Sequence, residues 1–66
     1  MLSARNQFQG IVKSVKLGNV MAEVVITVGP VEFVSAITRT SAESLDLKAG
    51  DKVKAIIKST EVLIDK

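Results

Sequence analysis

Val20-Met21-Ala22-Glu23-Val24-Val25-Ile26-Thr27-Val28, followed by Gly29-Pro30, is the stretch that decides what kind of chain this is. Val20, Ala22, Val24, Ile26 and Val28 recur at period two, with Met21, Glu23, Val25 and Thr27 between them. A helix would scatter both sets around its axis, whereas a strand puts each on one face, and β-branched residues suit a pleated, half-buried surface. Residues 20–28 are therefore expected as a strand with the first set in the core. Gly29-Pro30 breaks the pattern and turns the chain.

Upstream, residues 8–17 are rich in β-branched types, and Gly18-Asn19 follows as a two-residue turn pair able to supply positive φ between two strands of a hairpin. Downstream, Val31–Thr38 reads as a third strand, with Val31, Phe33 and Ile37 facing one way and Glu32, Val34, Ala36 and Thr38 the other. Thr40 and Glu43 have the spacing of a capping box, which predicts a short helix over 41–46 with Leu45 and Leu47 close behind. Lys48-Ala49-Gly50-Asp51 supplies a glycine to close it. Residues 52–58 read as a fourth strand, apolar at Val53, Ala55 and Ile57, with Lys52, Lys54, Ile56 and Lys58 opposite. Ser59-Thr60-Glu61 interrupts, and Val62-Leu63-Ile64 reads as a short fifth strand. Three strands, a helix and two strands predict a single domain over 1–66, all-β with one short helix, in the form of an OB-like five-stranded β-barrel.

At 66 residues, with no cysteine for disulfides and no histidine as a metal ligand, the chain lacks the usual staples of a small fold. Self-association or a bound ligand is the expected source of extra stability. Composition agrees, because 47% of the residues are apolar and Met21, Val25, Val34, Ala36 and Ile56 fall on faces that a lone barrel would leave wet. These side chains are expected at subunit contacts, the alternative being that loops and the helix cover some of them. Nine Lys plus Arg against seven Asp plus Glu are dispersed along the chain, so no strong nucleic-acid field is expected. No apolar export segment and no run long enough to span a bilayer stands in the sequence, so a cytoplasmic location and no membrane partner are expected.

Catalysis needs a nucleophile or a base with a suitable pKa, and the chain has no His, Cys or Tyr. Glu23, Glu32, Glu43, Asp46, Asp51, Glu61 and Asp65 show no grouping that would hold a metal. An enzyme is not expected, nor a bound metal. Only Phe8 and Phe33 are aromatic, so the stacking platform of a single-strand nucleic-acid binder is missing as well. Two polar segments stand out: Ser3-Ala4-Arg5-Asn6-Gln7 and Lys58-Ser59-Thr60-Glu61. Each alone reads as a capped terminus or a strand-end turn. Together they offer guanidinium, ammonium, hydroxyl and backbone donors, the set that a tetrahedral oxyanion accepts from several directions.

On these residues, on Ala22-Glu23-Val24 after Gly18-Asn19, and on Lys58-Ser59-Thr60-Glu61-Val62 with Leu45 in register, the sequence resembles the molybdenum-pterin binding proteins, or molbindins. It is similar as well to the related Mop domains of molybdate transport ATPases and molybdate-responsive regulators. The resemblance covers nearly the whole chain and implies an OB-like barrel assembled as a homohexamer, a trimer of dimers, that stores molybdate or tungstate at subunit interfaces. Carried over by position, it places the oxyanion site on Ser3 and Arg5, on Lys58 and Ser59, and on the hydroxyls of Thr38 and Ser41, with contributions from different subunits. A second class of site, built on main-chain donors of the first hairpin, falls on Asn19 and Val20. Arg39-Thr40 departs from common family sequences.

The expected chemistry is outer-sphere: Arg5 and Lys58 balance the two charges of the oxyanion, hydroxyls and amides orient it, and no bond to molybdenum and no catalytic cofactor are needed. With no carboxylate acceptor in the set, a fully ionised dianion is favoured over protonated phosphate, and the smaller sulfate fits less well than molybdate. No aromatic surface for a pterin ring is evident. Two other readings stay open at this point. One is an OB-type nucleic-acid-binding or regulatory module without a small ligand. The other is a structural assembly subunit in which Arg5 and Lys58 pair with Glu61 or Glu23.

Overall fold

A computed structural model describes residues 4–66 in the order β1 (Asn6–Leu17), β2 (Met21–Val28), β3 (Val31–Thr38), α1 (Arg39–Ser44), β4 (Lys52–Ile57) and a 3-10 turn at Ser59–Glu61. The strands form one antiparallel sheet in the order β3-β2-β1-β4. The fold is mostly β with one short helix. Strand β1 is long enough to serve two partners: Asn6 to Ile11 pair with β4, and Ile11 to Leu17 pair with β2. Beside the changeover stands Gly10, where a Cβ would lie 2.6 Å from the Thr27 carbonyl oxygen and 2.8 Å from the Ile26 and Val28 side chains. Only a hydrogen fits there, and β1 can therefore press against β2 as the sheet coils.

The coiling wraps the sheet around Val12, Val24, Ile26 and Ala55, with Val15, Val28, Phe33, Ile37, Leu47 and Val53 packed against them. A bulge in β1 between Val12 and Ser14 shifts the alternation by one residue. Val12 and Val15 consequently both serve the core, while Lys13 forms an ion pair with Glu32 at the surface. Val12 is 1% exposed, and burying such a side chain contributes about 1.5–3 kcal/mol. Phe8 and Phe33 meet edge to face with ring centroids 5.3 Å apart. Among the described residues no helix is long and apolar enough to cross a membrane.

Several local expectations are corrected. Val20 does not enter the core; it is 73% exposed in the loop between β1 and β2. That loop takes three residues, closed by Gly18 N–H donating to the Met21 carbonyl at 2.7 Å, and neither Gly18 nor Asn19 adopts positive φ. Helix α1 starts two residues earlier than expected, because its cap is Thr38, whose Oγ1 accepts from the Ser41 N–H at 3.1 Å. Strand β3 pairs with β2 up to Thr38, so the helix begins as soon as the ladder ends. Glu43 does not complete a capping box with Thr40 but pairs with Arg39 at 3.5 Å.

The helix is closed by Asp46, not by Gly50. Asp46 takes φ 50°, its N–H donates to the Glu43 carbonyl, and the Leu47 N–H donates to the Ala42 carbonyl, the bond pattern of a Schellman ending. Gly50 instead takes φ 96° in the turn that leads into β4. The fifth strand of the expected barrel is also absent from the described residues. After β4 the 3-10 turn diverts the chain, with the Glu61 and Val62 N–H groups donating to Lys58 and Ser59, and Leu63 and Ile64 stand 92% exposed. The sheet thus has four strands and two free edges, β3 and β4.

Candidate functional site

The first pairs of the β1–β4 ladder set the geometry of the basic site. Asn6 is opposite Ile57, so Arg5 and Lys58 are the residues immediately beyond the end of the ladder, on neighbouring chain segments. Asn6 reinforces the junction by donating from Nδ2 to the Ile57 carbonyl at 3.2 Å, and Gln7 Nε2 donates to the Ala4 carbonyl at 2.7 Å. Lys58 is held in extended backbone at the start of the 3-10 turn, and Ser59 follows as the first residue of that turn. Arg5, Lys58 and Ser59 are all exposed.

Among the described residues, the ion pairs are Lys13 with Glu32, Arg39 with Glu43 and Lys48 with Asp46. Arg5 and Lys58 are in none of them. The pairing of Arg5 or Lys58 with Glu61 or Glu23 that a structural role would use is therefore not made within the chain. Two cations at one sheet end, followed by a serine, form a donor group with no ion-pair partner among the described residues, suited to an external anion. Ser3 lies outside the described residues.

Thr38 and Ser41 are elsewhere. Met21 is opposite Thr38 in the β2–β3 ladder and Ala22 opposite Leu17 in the β1–β2 ladder, so both hydroxyls stand at the end of the sheet where β1 finishes, and Arg5 stands where β1 begins. Thr38 Oγ1 donates to Ser41 Oγ at 2.8 Å while accepting from the Ser41 N–H. Ser41 Oγ thus accepts one hydrogen bond, and its own hydroxyl proton is left free to donate to another group.

The hairpin positions Asn19 and Val20 share this second end. The Arg39 N–H donates to the Val20 carbonyl at 2.8 Å, and Arg39 Nη1 donates to the Gly18 carbonyl at 3.3 Å. Arg39, half-buried, clamps the hairpin to α1 and adds a positive charge there, a role the sequence reading missed. The signal was present as a lone arginine directly after a strand of β-branched residues. The structure thus brings Arg5, Lys58 and Ser59 together, brings Thr38, Ser41, Asn19 and Val20 together, and keeps the two groups at opposite ends of β1. A ligand that touches both groups needs more than one copy of the chain. No cluster of three or more acidic residues able to hold a metal occurs among the described residues.

Residues 2–64 match the TOBE domain family. The chain is 47% identical over 64 residues to molybdenum-pterin-binding protein 3 of Clostridium pasteurianum, covering 96% of this chain and 94% of that one. The structure superposes on a molybdate-binding protein from Sporomusa ovata with a TM-score of 0.96 at 42% identity, over 100% of this chain and 98% of the other. It also superposes on the cytoplasmic molybdate-binding protein ModG in its molybdate-bound form, with a TM-score of 0.84 at 44% identity, over 88% of this chain and 42% of that one. The chain belongs to the TOBE domain family, within which it stands with the molybdenum-pterin-binding proteins.

Proposed function

We propose that this chain binds molybdate as an intact oxyanion at interfaces between its own copies, for storage, buffering or homeostasis of molybdenum. The observation that carries this reading is the juxtaposition of Arg5 and Lys58 beyond the Asn6–Ile57 pair, two cations free of carboxylate partners among the described residues. Their combined charge matches a dianion, and Ser59 beside them supplies a directional donor. Thr38 and Ser41 of a neighbouring copy complete the shell, as does Ser3. Asn19 and Val20, with Arg39 behind them, form a second site at the other end of the sheet. The protein is a homo-oligomer, a hexamer built as a trimer of dimers, formed from a single domain over residues 1–66 and working in the cytoplasm. It takes tungstate as well as molybdate, because the two oxyanions are alike in size and charge, and it needs no catalytic cofactor.

Molybdate-binding relatives favour this reading over a nucleic-acid module, and the dispersed charge of the chain points the same way. Calorimetric titration of the purified protein with molybdate, tungstate and sulfate, with the mass measured by sedimentation at each stage, tests it. The expected result is an oligomer that releases or absorbs heat with molybdate and tungstate and binds sulfate more weakly. A monomer that gives no heat with any of the three overturns the reading.

A further inference from the structure

We infer that Arg39 sets the anion affinity of the hairpin end, by engaging the carbonyls of the loop between β1 and β2, and that Glu43 holds this affinity down as a competing internal anion. The inference rests on the second site of the proposed function and adds what governs it. Arg39 reaches the loop twice: its N–H donates to the Val20 carbonyl at 2.8 Å and its Nη1 to the Gly18 carbonyl at 3.3 Å. The Met21 carbonyl accepts from the Gly18 N–H at 2.7 Å. Three carbonyls of the turn are thus engaged, whereas the N–H groups of Asn19 and Val20 are in none of the hydrogen bonds among the described residues. A trans peptide points its N–H opposite to its C=O, so drawing the Gly18 carbonyl toward Arg39 turns the Asn19 N–H to the far side. An exposed carbonyl repels an anion and successive exposed N–H groups attract one, and the loop is left with the attractive groups in excess.

Charge at this end comes through the same residue. Gly18, Asn19, Val20 and Met21 are neutral, and among the described residues the cation hydrogen-bonded to the loop is Arg39. Its Nε also faces Glu43 Oε2 at 3.5 Å, with the two side chains 40% and 56% exposed. That distance is long for a charge-assisted bond, and an exposed pair of this kind contributes little to stability. Its effect on an approaching anion is larger. Guanidinium and carboxylate together present a dipole, where Arg39 alone would present a full positive charge. A dianion at the Asn19 and Val20 amides therefore competes with Glu43 for one cation.

A purely structural Arg39 would clamp the hairpin to α1 and do nothing more. Loss of Glu43 would then leave anion affinity as it was, or lower it by loosening the clamp. With Arg39 as the positioning residue and charge source of the hairpin end, loss of Glu43 raises affinity. The two roles give opposite signs for one substitution.

The test is a molybdate titration of isotope-labelled full-length protein followed by magnetic resonance. The amide signals of Asn19 and Val20 report on the hairpin end, and that of Ser59 on the end that carries Arg5 and Lys58. Glu43→Gln is expected to tighten binding at Asn19 and Val20 by about 3- to 10-fold. Arg39→Gln, which retains an N–H donor without the charge, is expected to weaken it by about 10-fold, with Arg39→Lys between that variant and the parent. In all three the Ser59 response should stay within about twofold of the parent, since the two groups stand at opposite ends of β1. Unchanged or weaker binding at the hairpin in Glu43→Gln overturns the inference, as does an Arg39→Gln that binds like the parent or weakens both ends equally. Glu43→Gln removes only an exposed pair, so its urea midpoint should match the parent's, and a damaged fold would not imitate a gain. A parent in which Ser59 responds to molybdate while Asn19 and Val20 do not overturns the inference and leaves the first site of the proposed function standing. Response at Asn19 and Val20 alone does the reverse, and a parent in which none of the three responds overturns both.

Discussion

Thr38 and Ser41 are joined twice: Thr38 Oγ1 accepts from the Ser41 N–H at 3.1 Å and donates to Ser41 Oγ at 2.8 Å. The first bond caps α1, and the second leaves the Ser41 hydroxyl proton free to donate elsewhere. Substitutions separate these two roles. Thr38→Ala removes the cap acceptor and is expected to cost about 1 kcal/mol of stability, while Thr38→Ser restores it. Ser41→Ala keeps the backbone donor of the cap, so unfolding in urea should be nearly unchanged while molybdate affinity falls. An equal loss of stability in Ser41→Ala and Thr38→Ala would assign both hydroxyls to the helix alone.

Arg5 and Lys58 call for a different comparison. If both face the oxyanion, Arg5→Ala and Lys58→Ala each leave a dianion short of one charge-assisted partner, and the expected loss of affinity is about 2–5 kcal/mol. Arg5→Lys should recover only part of it, because an ammonium keeps the charge and gives up the planar, forked donor. The measurement is calorimetric affinity on variants shown by sedimentation to keep the parent mass. Unchanged affinity in both alanine variants would remove these side chains from the site.

Much of the sheet was legible in the sequence, for a physical reason. Strands β2, β3 and β4 alternate without interruption where they pair, so the inward positions of Val24, Ile26, Phe33, Ala55 and Ile57 follow from period two. Strand β1 resists the same reading, since the bulge at Val12/Ser14 changes parity midway. The start of α1 was misplaced because Thr40 and Glu43 satisfy a local spacing rule, whereas the real cap, Thr38, is decided by where β3 stops pairing with β2. Residues 62–64 have a strand's composition but no ladder partner among the described residues, because the 3-10 turn at Ser59–Glu61 follows β4 and composition does not reveal such a turn. At the candidate site, the residue types were readable from donor chemistry. That Arg5 and Lys58 are neighbours follows only from the β1–β4 register, which joins positions far apart in sequence.

Gly10 supplies a test of the coiled sheet itself. A methyl group there collides with the backbone oxygen of Thr27 and with two packed side chains, none of which is a flexible tip. Gly10→Ala is expected to destabilise the fold by about 1–3 kcal/mol, the usual cost of overpacking a tight interior contact. The midpoint of urea unfolding should fall without a change in slope. A neutral Gly10→Ala would mean that β1 and β2 are farther apart than the structure places them.

Asp46 offers the opposite sign. It holds a left-handed conformation at φ 50°, which an L-residue adopts at a cost of about 1–2 kcal/mol and glycine adopts freely. Two effects oppose a change to glycine: the Asp46–Lys48 ion pair at 3.3 Å, whose side chains are 79% and 70% exposed, and the greater freedom of glycine in the unfolded chain. The exposed pair is worth little, and the entropic term amounts to about 0.4–1 kcal/mol. Relief of the strained backbone outweighs them, so Asp46→Gly should stabilise the protein by about 0.5 kcal/mol in the same urea assay. Because α1 carries Ser41, the gain should come without loss of molybdate affinity. A drop in stability would show that the ion pair and the freedom of glycine in the unfolded chain together outweigh the strain of the Asp46 backbone.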